Sequence, residues 1–461
     1  MTAIAASAPG RTHWSSNLLF MITAIGAEAG IANVWKFSYL AGANGGGLFV
    51  LLYFVALTVI AIPALMAEML LGRHGGRSVV GTMRVLVERD GLSPGWKVFG
   101  ALAITCTFIV MSYYQVICGW MLQYFVLGAS GGFHRITSAG AAAAYAGMLA
   151  NPWGMLGYSG LLALMTATVV GTGVNKGIER VSGVLTPLRF LILLGLLAYS
   201  VVFADFPAAA RFLFTIDWSK LTPTVVVLAF GQAFFSLGVG GGVMMTMAAY
   251  MGPESSVPKS VFTVAFAQGF VALIAGLSIF PLVFGYHLQP TQGPGLVFVT
   301  LPVAFGQMPY GELFGSLLFL LLSFAALTAT IVIQETIVAF LVEYVRAPRP
   351  VLAFATSFAI WSLGVVTVLS FNAWRDVHLL AGVGPFATKT PFELLDYLTS
   401  NIMMPLGGLM VALMAGWALP RAVARETLGL KDGPAFKVWR FAVRYVVPAV
   451  IVVVMVSIWR S

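Results

Sequence analysis

Apolar runs long enough to cross a bilayer recur along the whole chain, with short polar segments between them. Eleven windows qualify, at about 17–40, 47–71, 98–128, 155–173, 184–203, 222–250, 257–286, 312–344, 350–371, 391–418 and 436–458. The pattern predicts an all-α integral membrane protein, because a helix satisfies its own backbone in lipid within a single segment. Two of the windows are flawed in the same way. The first holds Gly26-Ala27-Glu28-Ala29-Gly30-Ile31-Ala32-Asn33, with an ionisable side chain, an amide and two glycines at mid-depth. The sixth holds Gly231, Gly238, Gly240, Gly241 and Gly242, each weakening a helix by about 1 kcal/mol relative to Ala. Packing of helices through small residues calls for one at every fourth position, not a cluster. Both windows are therefore expected to unwind, and the freed N–H and C=O groups must face protein or a polar cavity.

The flaws fall in windows one and six, the same place in two successive sets of five. This predicts a 5+5 inverted repeat with a binding site near the midplane. A single transporter domain over 1–461 then comprises a first repeat at about 17–203, a second at about 222–418 and an extra helix at about 436–458. Half-helix amino ends offer partial positive charge to an anion, while carboxy ends and freed carbonyls suit a cation or an ammonium. The segment 288–311, with Pro290, Pro294, Pro302 and Pro309 around the apolar stretch Leu296 to Phe305, reads either as a hairpin folding back towards the bundle or as an exposed loop.

Composition narrows the class. Hydrophobic residues make up 59% of the 461 and charged residues 9%, with a mean hydropathy of +0.94, which excludes an ordinary soluble domain. The net charge of +9 would suggest nucleic acid in a soluble protein, but here the basic residues sit on one side of the membrane, so nucleic acid is discounted. About seventeen Lys and Arg lie on the side of the amino terminus against about six on the other, which places the amino terminus in the cytoplasm and the carboxy terminus outside. The small, polar first residues do not form a cleavable leader. Cys106 and Cys118 share one window, roughly 18 Å apart along a helix, and cannot pair. His13, His74, His134, His287 and His378 show no ligand spacing. No histidine, cysteine or paired carboxylate constellation lies at mid-depth, so no enzyme is expected. A sensing receptor or an ion channel is the rival from outside transport.

Against this background, several motifs fall in a telling order. They are Arg11-Thr12-His13-Trp14, Gly30-Ile31-Ala32-Asn33-Val34-Trp35-Lys36-Phe37, Asn44-Gly45-Gly46-Gly47, Gly72-Arg73-His74-Gly75-Gly76, Tyr113-Tyr114, Gly177-Ile178-Glu179-Arg180, Gly231-Gln232-Ala233-Phe234-Phe235-Ser236 and Leu327-Thr328. Together they resemble the neurotransmitter:sodium symporter family, in particular its bacterial amino-acid transporters with the leucine-transporter fold. The resemblance spans essentially the whole chain. It implies a sodium-coupled symporter in a cytoplasmic (inner) membrane, importing a small-molecule substrate, an amino acid, by alternating access.

Carried over by position, the resemblance gives a substrate pocket of Ala27, Glu28, Gly30, Val110, Tyr114, Phe235, Ser236, Gly238, Gly241 and Ile333. Gly30 matters for substrate class, since amine carriers have an aspartate there and amino-acid carriers a glycine that leaves room for the ligand's carboxylate. Tyr114 would donate to that carboxylate. A first sodium would use the Glu28 carbonyl, Asn33, Ser236 and Gln268, and a second Gly26, Ala29, Ala325 and Thr328. Ala329 stands where a second-site hydroxyl is usual and Gln268 replaces an asparagine, so one or two sodium ions are expected. For chloride, Tyr53, Gln232 and Ser236 supply part of a polar cluster, while Ala272 lacks the usual hydroxyl or acid. The implied gates are Lys36 with Asp396 and the Phe235 lid outside, and Arg11 with Glu343 inside, near Trp14 and Tyr250. Glu68 matches an acid that holds unwound backbone of the sixth helix.

Glu28 departs most, because its counterparts are small. A carboxylate at that depth needs a cation. Four roles are open: contact with the first sodium, contact with a substrate ammonium or cationic side chain, proton coupling, or a neutral acid bonded to nearby backbone. In the rival transport reading, the substrate is an amine or cationic compound without a carboxylate, and Glu28 supplies the missing charge.

Overall fold

The computed structural model of the chain describes residues 13–286 and 295–460, and among these it is helical with no strand. The first apolar window starts at helix α1 (Asn17–Glu28), capped by the Ser16 hydroxyl accepting from the Leu19 N–H. It resumes as α2 (Ile31–Val34) and α3 (Lys36–Ala43). Nine helices among the described residues are long and apolar enough to span a membrane. In chain order the first five are α4 (Gly47–Gly75), α5 (Pro94–Ala129), α6 (Pro152–Gly171), α7 (Val174–Phe203) and, after the second interruption, α10 (Val257–Gly285). The interruption itself separates α8 (Pro223–Ser236) from α9 (Val243–Ala249). Beyond α10 come a shorter apolar helix, α11 (Leu296–Gln307), and four more spans, α12 (Gly311–Tyr344), α13 (Arg349–Ser370), α14 (Pro391–Ala418) and α15 (Pro434–Ser457).

Both expected breaks are present, and each window is divided where its sequence is weakest. Elsewhere the windows match continuous helices to within a few residues, α5 and α7 beginning earlier than hydropathy alone suggests. The stretch Leu296 to Phe305 is not an exposed loop. It is a helix that buries Leu296, Phe298 and Phe305 against the bundle, and residues 287–294 lie outside the described ones.

Burial divides the helices by role. α1 is central and packs against α7, α10 and α12, while α9 lies along the second half of α4. α7 and α15 form the rim and expose apolar side chains such as Leu191, Val202, Val452 and Val453. That apolar rim is what a lipid-facing surface requires. The two interrupted helices therefore meet in the interior, where unpaired backbone can be met by protein.

Candidate functional site

At the first break, Ala29 has ψ 53° and Gly30 is extended, so the helical ladder is lost across these two residues. The Gly30 N–H donates to the Glu28 carbonyl at 2.8 Å instead of reaching back to Gly26. Gly26's carbonyl is thereby freed, and two side chains meet it: Thr328 Oγ1 donates at 2.9 Å and Arg189 Nη1 at 3.1 Å. Asn33 Nδ2 donates to the Glu28 carbonyl at 3.2 Å.

The second break is made by backbone that only glycine adopts readily. Gly238, Gly240 and Gly242 have φ of 55°, 99° and 74°. The freed N–H groups of Gly240 and Met245 donate to the carboxyl of buried Glu68, at 2.8 and 3.3 Å. Thr107 Oγ1 donates to the Gly241 carbonyl at 2.8 Å. Glu68 thus has the position that its motif implies, holding unwound backbone from α4.

Between the breaks lies a cavity of about 130 Å³. Ala27, Glu28, Gly30, Val110, Tyr114, Phe235, Ser236, Gly238, Gly241 and Ile333 all line it, so every residue assigned to the pocket is gathered in one place. Cys106, Thr107, Val243, Ala329 and Met404, none of them assigned to the pocket from the sequence, complete the wall. Two features give the cavity a polarity. A methyl group on Gly30 would lie 3.4 Å from the Tyr114 hydroxyl, so a bare backbone and a hydroxyl share one corner. The Glu28 carboxyl faces the unwound segment, with its oxygens 3.5 and 3.7 Å from where a Cβ on Gly238 would be. Among the described residues no hydrogen bond or ion pair to its oxygens is seen, and they face the cavity.

The first implied ion position fits a cation. Asn33 Oδ1, the Ser236 carbonyl and the Glu28 carbonyl converge, and the Gln268 amide bridges the first two, donating to Asn33 Oδ1 at 3.4 Å and to the Ser236 carbonyl. Gln268 Oε1 is buried and unpaired. Half a turn of the terminal amide aims that oxygen at the other oxygens, an arrangement that a hard cation stabilises. The second implied position differs. Gly26, Ala29, Ala325 and Thr328 are adjacent, but the one hydrogen of Thr328 Oγ1 lies within reach of the Gly26, Phe324 and Ala325 carbonyls, and Arg189 donates to the Gly26 carbonyl. In the chloride corner, Tyr53 and Ser236 hydroxyls are 3.4 Å apart, the Gln232 amide is buried without a partner, and Ala272 adds no polar group.

At the outer gate Lys36 and Asp396 are expected to face each other through water or directly, and no direct pair is present among the described residues. Lys36 Nζ lies 4.0 Å from the centre of the Phe235 ring, and Asp396 instead accepts from Ser400 Oγ at 2.9 Å. The cation is drawn to the ring face because the lid residue is nearer than the acid. Arg11 lies outside the described residues. Glu343 accepts from the Ser78 N–H at 2.7 Å and its hydroxyl at 2.8 Å, at the start of helix Val79–Glu88. Trp14 and Tyr250 do meet, Trp14 Nε1 donating to the Met247 carbonyl at 3.0 Å. Beneath them is a buried cluster that the motifs do not flag: Glu335 accepts from the Tyr250 hydroxyl at 2.9 Å and pairs with Arg349.

The model of the Sodium:neurotransmitter symporter family matches residues 11–131 and 150–459. An uncharacterized sodium-dependent transporter of Bacillus subtilis is 33% identical over 449 residues, 97% of either chain. One from Haemophilus influenzae is 32% identical over 454 residues, 97% of this chain and 98% of its own. The crystal structure of MhsT in complex with L-phenylalanine is similar with a TM-score of 0.87 and 34% identity, over 97% of this chain and all of that one.

Proposed function

Because the chain belongs to the sodium:neurotransmitter symporter family, we propose that it is a sodium-coupled importer of an apolar amino acid working by alternating access. Family and fold are those of secondary carriers, not enzymes. The observation that carries the substrate reading is the polarity of the central cavity, with the Gly30 and Tyr114 corner at one place and the unpaired Glu28 carboxyl at another. A zwitterion has two charges to place. Its carboxylate suits the Tyr114 hydroxyl and the first sodium, held by Asn33, Ser236, Gln268 and the Glu28 carbonyl; its ammonium suits the Glu28 carboxylate. Gly238 and Gly241 leave an apolar side chain room against Val110 and Ile333. The relative solved with L-phenylalanine supports an amino acid of that kind.

Sodium supplies charge at the midplane that the substrate carboxylate alone lacks. Phe235 with Lys36 closes the outer side, and the Trp14, Tyr250 and Glu335 contacts close the inner one. The two repeats over about 17–203 and 222–418, the extra helix at 436–458, the cytoplasmic amino terminus and the cytoplasmic membrane belong to the same proposal. A second reading, an amine without a carboxylate, is favoured by the same unpaired Glu28. The two separate in proteoliposomes with an imposed sodium gradient. L-Phenylalanine uptake that is sodium-driven and not inhibited by phenethylamine supports the amino acid; inhibition by the amine with none by the amino acid transfers the case to the second reading. Absence of accumulation against a gradient for either ends both.

A further inference from the structure

Arg189 is the one basic residue buried at the centre of the ion-binding region, and no motif of the chain accounts for it. It lies inside α7, 3% exposed, and among the described residues no carboxylate is within ion-pair distance. A guanidinium remains protonated in such surroundings, so its charge must be met by dipoles. Those dipoles are the last carbonyls of α1: Nη1 donates to Gly26 and Nη2 to Ile25 at 3.4 Å. A helix carboxy end carries partial negative charge, and here it points at the cation.

The contact coincides with the second ion position. Gly26, Ala29, Ala325 and Thr328 are the residues that would hold that ion, and Arg189 bonds to the first and lines a small void with Ala29 and Ala325. The Gly26 oxygen accepts from Arg189 Nη1, while the single hydrogen of Thr328 Oγ1 has the Gly26, Phe324 and Ala325 carbonyls all within reach. Position 329 brings no hydroxyl. A second sodium would have to share the Gly26 oxygen with a guanidinium and stand beside a fixed like charge in a water-poor interior, where repulsion is little screened. The residues present do not fit the ion.

We propose that the guanidinium of Arg189 is a tethered cation in the place of the second sodium, leaving the carrier a single exchangeable one at Asn33, Ser236 and Gln268. The first ion rests on the function proposed above; the exclusion of the second rests on Arg189 alone. Radiolabelled sodium binding to the purified full chain tests it, together with thermal melting in sodium against choline chloride. The wild type is expected to bind one sodium per chain, and Arg189→Lys to do the same. Arg189→Met combined with Ala329→Ser should gain one further sodium and a new sodium-dependent rise in melting temperature. Two sodium ions on the wild type overturn the proposal, as does a folded double variant with an unchanged count. Should the double variant not fold, the counts for wild type and Arg189→Lys decide. A wild type that binds no sodium and imports no amino acid defeats the function proposed above, while the gain or lack of gain in the double variant still judges Arg189.

Discussion

The two breaks in the bundle are closed by opposite chemistry. At Ala29 and Gly30 the exposed backbone atoms are carbonyl oxygens, and they are met by donors: Arg189, Thr328 and the Asn33 amide. At Gly238 to Gly242 they include N–H groups, and the main partner is an acceptor, the Glu68 carboxyl. The means of unwinding differ as well. Three glycines with positive φ shape the second break, whereas the first needs no left-handed residue and turns on how its ends are satisfied. A helix interrupted at membrane depth is thus stabilised in a way that its own polarity dictates: cations and amides at the carboxy end, an anion where amide hydrogens emerge.

The contrast can be broken by removing what closes each side. The largest effect is expected for Glu68→Ala, which strands two buried N–H groups at about 1–3 kcal/mol each. Thermal melting should fall accordingly, and Glu68→Gln should fall less because its amide oxygen still accepts one bond; equal loss in both would mean that the charge, not the acceptor, is what matters. Glu28→Gln tests the cavity between the breaks. Loss of one charge-assisted contact of about 1.5–3 kcal/mol corresponds to roughly 10- to 150-fold weaker amino-acid binding, read by competition. Unchanged affinity together with unchanged sodium dependence would remove Glu28 from the substrate. Gly240→Ala should cost about 1–2 kcal/mol for the left-handed backbone, with a further penalty from contact with α14, whereas Ala29→Gly at the first break should shift melting by a smaller amount. The smallest effect belongs to Lys36→Gln, where losing a cation over the Phe235 ring removes about 0.5–1 kcal/mol. A few-fold faster release of bound substrate is the expected reading, and slower release would contradict a lid role.

Much of this was open to inspection in the chain itself. Polar and glycine residues at mid-depth mark both breaks because lipid tolerates neither without a reason, whereas the gathering of Glu28, Tyr114 and Phe235 in one cavity is implied by the family resemblance and not by the breaks. Arg189 is less visible. Of 25 lysines and arginines, about seventeen and six divide between the two sides. The remaining pair, Lys36 and Arg189, lies within spans and bears the same signal as Glu28, an ionisable side chain where lipid should be. No motif frames Arg189, so only coordinates reveal that it turns inward to α1. Glu335 escapes notice for the same reason, its Arg349 partner reading as an ordinary basic residue at a helix start. The Lys36 contact is not legible in the chain, because charge alone points the lysine to Asp396 and only the fold brings the Phe235 ring to it.

A Cβ on Gly407 would lie 3.0 Å from the Gly240 carbonyl carbon, and one on Gly240 would lie 3.1 Å from that of Gly407, so two stretches of bare main chain rest on each other. Interlocking side chains give neighbouring helices a few preferred crossing angles, with ridges that must ride over one another to pass between them. Where neither surface has teeth, α14 and the unwound segment have a joint without ridges to ride over.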